Sequence, residues 1–224
     1  MKTFLILVLF FITTFCNAQI KYEVQDFSDD YYGVVYVTDT SDFFKIGWIS
    51  IYDKKSNSEL IKVESEAIVL EMQNGKLKVN ANEFPYGEED VIIYDDFNFD
   101  GVKDFAISDS HSGGYGMPTY KIYLSEGNKF VYNEKFTELG QDYLGMFYVD
   151  HEKKIIHTEQ KSGCCYHEDS EFIVEKNAPK LILLVIEDAT KGDDYVYVTT
   201  KKLVDGKWIK TEKKEKIKDY YKEK

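Results

Sequence analysis

The chain has 224 residues, with 28 basic residues that are all lysine and 40 acidic ones, giving a formal charge of −12. Hydrophobic residues make up 43% and aromatics 16%, with 18 Tyr and 15 Phe against 3 Pro, which excludes a disordered, collagen-like or multi-pass membrane protein. The acidic balance argues against nucleic acid or an anionic membrane as a partner, and without arginine there is no planar bidentate recognition of phosphate.

The chain opens with Lys2, the apolar run 4–12 and the small-residue site Cys16-Asn17-Ala18. That is the pattern of a cleavable secretory signal, since the run is far short of the ~20 residues that span a bilayer. A leader over 1–18, a mature start at Gln19 and a secreted, periplasmic protein are therefore expected, with 19–224 as a single domain and no transmembrane segment in it. Beyond the leader only Cys164 and Cys165 remain, and they are adjacent. No disulfide framework is possible; a vicinal disulfide, two thiols or bridges to other molecules are the options.

Alternation of apolar and polar residues at period two predicts strands over 20–26, 31–38, 43–53, 58–63, 67–73, 76–80, 91–94, 103–108, 119–124 and 129–132. One helical segment, 134–140, follows, and then further strands over 145–149, 154–159, 170–175, 180–187, 194–203 and 207–213. Asn74-Gly75, Glu126-Gly127-Asn128 and Asp205-Gly206 read as hairpin turns, so antiparallel pairing is the default. The expected fold is all-β: antiparallel sheets in a sandwich or propeller-like arrangement with one short helix. Segments 81–89 and 109–118 are the longest irregular ones and read as functional loops. The end, 213–224, reads as a solvated, frayed terminus.

The sharpest chemistry lies in Asp96-Phe97-Asn98-Phe99-Asp100-Gly101-Val102-Lys103-Asp104. Oxygen-bearing side chains at positions 1, 3, 5 and 9, a glycine at 6 and a main-chain carbonyl at 7 suit a hard cation, so the expected ligands are Asp96, Asn98, Asp100, Val102 through its carbonyl, and Asp104. Phe97 and Phe99 should point away from the ion and pin the loop to apolar neighbours. Helical calcium hands need a bidentate Glu at position 12, which here is Ile107, so the loop is the strand-flanked variety, and Ca2+ is the expected cofactor.

On this loop, the glycine-rich stretch 113–116, Tyr120-Lys121-Ile122-Tyr123-Leu124, the segment 130–139, Lys154-Ile155-Ile156-His157-Thr158 and the run from Ser162-Gly163-Cys164-Cys165-Tyr166-His167 to Phe172, the chain resembles a family. Ile49-Ser50-Ile51-Tyr52-Asp53 and Leu60-Ile61 have its look as well. The family is that of secreted calcium-binding immunity proteins of xanthomonad type IV secretion, similar to periplasmic inhibitors of invertebrate-type lysozyme. The resemblance implies inhibition of a lysozyme-like peptidoglycan hydrolase through a Ser-Gly-x-Tyr or Ser-Gly-x-x-Tyr loop. Two such loops occur, and their expected contact residues are Ser112, Gly113 and Tyr115 in one and Ser162, Gly163 and Tyr166 in the other. The companion Tyr-x-x-x-Thr-Lys-Gly motif of some relatives is missing in strict form; the segment 197–202 comes nearest. The acidic charge would steer the chain toward a basic enzyme.

The aspartate loop also resembles those of integrin-type propeller repeats, and the alternative is a calcium-stabilised carbohydrate-binding or adhesion module using rings such as Trp48 or Trp208. An enzyme is not expected. Glu88, Glu89 and Asp90 are the acidic candidates, His111, His151, His157 and His167 are scattered, and no nucleophile elbow, zinc-hydrolase helix or phosphate-cradling loop is present.

Overall fold

A computed structural model describes residues 20–24, 27–39, 41–70, 72–73, 76–77 and 90–222. The leader, the Asn74-Gly75 turn, the 81–89 loop and the candidates Glu88 and Glu89 lie outside the described residues.

Three antiparallel meanders follow one another along the chain. The first contains β1 (Ile20–Val24), β2 (Tyr31–Val37), β3 (Lys45–Asp53) and β4 (Glu59–Ile68) in sequence order. β5 (Met72–Gln73) and β6 (Lys76–Leu77) pair with each other. The second meander contains β7 (Ile92–Asp95), β8 (Asp104–Ser110), β9 (Thr119–Glu126) and β10 (Lys129–Tyr132), and helix α1 (Glu134–Asp142) follows it. The third, of six strands, runs β11 (Tyr148–Asp150), β12 (Ile155–Ser162), β13 (Tyr166–Glu175), β14 (Ala178–Asp188), β15 (Tyr195–Val204) and β16 (Lys207–Lys216), and α2 (Ile217–Tyr220) closes the chain. The fold is thus all-β with antiparallel sheets, as the alternation predicts, and the Gly127 and Gly206 turns close hairpins at φ +66° and +74°.

Successive residues of a strand point to opposite faces, and the middle sheet uses both. Ile92, Phe105 and Ile107 join Val35, Ile49, Ile51 and Val63 of the first sheet in one core. Their neighbours Ile93 and Ala106 turn the other way and join Ile122, Leu124, Phe136 of α1, and Ile156 and Phe172 of the third sheet in a second core. The middle sheet is the shared layer, which is why Ile92-Ile93 and Phe105-Ala106-Ile107 read as unbroken apolar runs.

Differences from the sequence reading have physical causes. The predicted break between 63 and 67 is absent, because Ser65 takes the inner face and keeps the period of Ile61 and Val63 through β4. β13 starts four residues before its predicted start at 170, because β12 and β14 pair with His167, Glu168 and Asp169 on both sides. Asn133, to which the sequence reading gave no role, caps α1, with the Phe136 amide donating to Asn133 Oδ1 at 3.1 Å. The terminus is not frayed throughout: α2 is a helical turn that the pattern did not predict, and Tyr220 donates to the buried Glu187 at 2.6 Å. No helix among the described residues is long and apolar enough to cross a membrane.

Candidate functional site

The aspartate loop joins β7 to β8, and Asp95 and Asp104 at its two ends face each other across the ladder. Its aromatic residues behave as the spacing requires. Phe97 is fully buried and meets Phe147 edge-on at 5.5 Å, while Phe99 packs half-buried on the second core and edge-on to His151 at 6.1 Å. Gly101 takes φ +90°, and Phe99 takes φ +63°, a left-handed conformation that a non-glycine residue adopts only under constraint.

With the hydrophobic side anchored, the oxygens gather on the turn itself. Asp96 accepts from the amides of Asp100 at 3.1 Å and Gly101 at 2.8 Å, and Asp100 accepts from the amide of Val102 at 2.8 Å. Asn98 Oδ1 accepts from the Asp100 amide at 3.2 Å, and its Nδ2 donates to Asp100 Oδ2 at 3.0 Å and to Asn177 Oδ1 at 3.2 Å. Asp104 is fully buried and accepts from the amides of Phe97 and Ser125 at 2.9 and 2.8 Å. Burial pushes its carboxyl up to about 7; the two amides oppose this, and the nearby charges of Asp100 and Asp96 add to it. The Val102 side chain is exposed. His151 Nε2 lies 3.1 Å from Asp95 Oδ2 at the rim. Among the described residues no three His, Cys, Asp or Glu side chains converge tightly enough to hold an ion unaided. The donor set is nonetheless all oxygen and crowded with like charge, which is the chemistry a hard cation takes.

The two Ser-Gly loops meet. Ser112, Gly113 and Tyr115 lie in the β8–β9 connection, where Gly114–Gly116 forms a short 3-10 turn with Tyr115 at φ +59°. Gly113 has to be glycine: its amide donates to the Met117 carbonyl, and a Cβ there would stand 2.9 Å from that same oxygen. Ser162, Gly163 and the cysteines form the β12–β13 turn. The Gly163 amide donates to the Tyr115 hydroxyl, and the Lys161 ammonium lies 4.8 Å over the Tyr115 ring. Tyr115 is 61% exposed all the same. Tyr166 is placed differently: it is the first residue of β13, half-buried, and its hydroxyl donates to Glu168 on its own strand, which pushes its pKa up to about 12. Cys164 and Cys165 form a vicinal disulfide, the first of the options open from the sequence.

A solved protein related to a type IV secretion system shares this fold. The solved chain is the one described as "Structure of a Xanthomonas Type IV Secretion System related protein", with TM-score 0.64, 19% identity, and coverage of 84% of this chain and 92% of that one. No family model and no curated protein matches the sequence. At this identity the likeness speaks for the fold.

The aspartate loop and the Ser-Gly loops stand at opposite ends of their strands. β8 runs from Asp104 to Ser110, just before His111 and Ser112, and β13 runs from Tyr166 at the turn to Glu175 beside Asn177. At ~3.3 Å per residue these are separations of roughly 20–30 Å.

Sequence reasoning missed Asn177, which ties the aspartate loop to the third sheet and whose carbonyl also accepts from Asn133 Nδ2 at 3.0 Å. It also assigned Phe43 to a strand, whereas β3 begins at Lys45 and Phe43 stands in solvent. Asp90, the one described acidic candidate for an enzyme site, is buried, with its carbonyl accepting from Tyr120 at 2.8 Å. Trp48 is stacked on Tyr36 at 4.8 Å with Lys62 over its ring, whereas Trp208 is exposed on β16.

Proposed function

We propose that this is a Ca2+-binding periplasmic protein that blocks a lysozyme-like peptidoglycan hydrolase by inserting a Ser-Gly-x-Tyr loop into its cleft. The observation that carries the reading is the convergence of the two Ser-Gly loops on Tyr115, which leaves an aromatic ring exposed yet held by Gly163 and Lys161. A glycoside hydrolase faces its cleft with two carboxyl groups. The hydroxyls of Ser112 and Ser162 can donate to such carboxylates, and the Tyr115 ring can fill a sugar subsite. Because the loops are braced before contact, little ordering entropy opposes binding. A charge of −12 adds steering toward a basic enzyme, and the shared fold with a secretion-related protein is in keeping with a role at the cell envelope.

Asp96, Asn98, Asp100, the Val102 carbonyl and Asp104 would hold the ion. The support is the buried Asp104 carboxylate, crowded by Asp96 and Asp100 and without a cationic partner among the described residues. Bound Ca2+ would supply positive charge to that turn. The chain's own residues do the rest: Phe97 and Phe99 anchor it, and Asn98 links it to Asn177.

The test is inhibition of a panel of chicken-type, goose-type and invertebrate-type lysozymes at stoichiometric dose. Wild type should inhibit at least one, and Tyr115→Ala should weaken that inhibition with an unchanged melt. Equal potency of Tyr115→Ala and wild type would remove the cleft-loop mechanism. The competing glycan-binding reading falls on the exposed Trp208; retention on peptidoglycan with no effect on any hydrolase would favour it.

A further inference from the structure

Phe43, Phe44 and Ile46 leave 66%, 48% and 64% of their surfaces in solvent. Scattered exposed apolar residues are ordinary, but three within four consecutive positions, Phe43 and Phe44 ahead of β3 and Ile46 at its start, are a candidate interaction surface. The loop is held in shape. Thr38 donates from both its amide and its hydroxyl to the Ile46 carbonyl, each at 3.1 Å. Asp39 accepts from the Ser41 amide at 2.9 Å and hydroxyl at 2.7 Å, and the Lys45 ammonium donates to the carbonyls of Asp42 at 2.6 Å and Phe43 at 3.0 Å. The two rings therefore project from a braced turn, with centroids 5.0 Å apart.

That turn abuts the Ser-Gly loops. Phe44 packs against the His111 ring at 4.9 Å, and His111 Nδ1 lies 3.3 Å from the Gly116 carbonyl oxygen, in the segment that carries Ser112 and Tyr115. One loop from each of the three sheets thus contributes to a continuous surface. It runs from Phe43 and Phe44 through His111 and Tyr115 to the Gly163 turn.

We infer that Phe43, Phe44 and Ile46 form the second half of one docking face with Tyr115, and that its occupant is the surface bordering the cleft of a basic cell-wall hydrolase. This rests on the inhibitor reading and supplies the second contact for which no strict sequence motif exists. The charge pattern selects the occupant. Asp39 and Asp42 flank the aromatic tip, and Lys45 at the start of β3 turns its ammonium onto backbone oxygens, so this half of the face is apolar with an acidic border, while Lys161 lies over the Tyr115 ring in the other half. It complements an apolar groove rimmed by lysine or arginine. A second copy of this chain would bring the same acidic border, and the same charge of −12, against itself.

The experiment uses the full mature chain against whichever lysozyme of the panel wild type inhibits. Phe43→Ser/Phe44→Ser should raise the inhibition constant roughly 30-fold or more, as truncation of central anchors does, with an unchanged melt because these side chains are outside the core. Phe43→Gln/Ile46→Gln keeps the Phe44–His111 contact and should weaken inhibition in the same direction if the double Ser variant misfolds. Unchanged inhibition by both variants would overturn the inference while leaving the inhibitor reading in place. Failure of wild type to inhibit any lysozyme would overturn both. Self-association in sedimentation, lost on Phe44→Ser, would assign the face to a second copy and overturn the hydrolase as occupant.

Discussion

Phe97 and Asp104 close one turn from opposite sides, and each shows what a single side chain contributes. Phe97 is an apolar anchor with no exposed surface, so Phe97→Ala should cost ~3–5 kcal/mol in unfolding free energy, read by denaturant titration. Asp104 ties the end of the loop to its start through the Phe97 amide and to β9 through the Ser125 amide. Asp100 is exposed and serves mainly its own turn, which makes it the cleaner probe of an ion. Ca2+ should raise the melting temperature of wild type but not that of Asp100→Ala; identical melting of wild type in chelator and in calcium would sink the metal assignment. Tyr115 and Tyr166 occupy equivalent places in two similar motifs, yet one is displayed and the other is bonded to Glu168. Tyr115→Ala should therefore weaken hydrolase inhibition more than Tyr166→Ala, as compared by inhibition constants.

At the scale of elements, β8 and β13 act as rods that keep the aspartate loop and the Ser-Gly loops apart. If the ion orders only its own end, Asp100→Ala should leave the inhibition constant unchanged at temperatures where the variant stays folded. A parallel fall in potency would reveal coupling along the strands. The β12–β13 turn offers a second test. A disulfide between adjacent residues encloses almost no chain, so it removes little entropy from the unfolded state. Its structural effect is local, on the turn that presents Gly163 to Tyr115. Reduction, or Cys164→Ser/Cys165→Ser, should weaken inhibition while moving the melting temperature very little; a large drop in melting temperature would refute that division.

Across the whole molecule, the charge of −12 sets a long-range field. Association with a basic partner should slow as salt rises, because the field is screened within roughly 10 Å at 0.1 M ionic strength. Stopped-flow association rates that do not change with salt would remove steering from the account.

Much of this architecture was legible in the chain. Alternation set the strands, because a half-buried sheet imposes period two, and Asp205-Gly206 and Glu126-Gly127-Asn128 marked hairpins, because glycine takes the positive φ those turns need. The loop 96–104 declared its own anchors, since Phe97 and Phe99 alternate with oxygen donors. What only the tertiary structure decided was long-range. Whether Phe43 is core or surface depends on where β3 begins, Tyr166 and Tyr115 are told apart only by their neighbours, and Phe44 meets His111 and Tyr115 meets Gly163 because the three sheets stack. A local pattern encodes the state of its own segment, but contacts between distant segments are selected by packing energies summed over the whole chain.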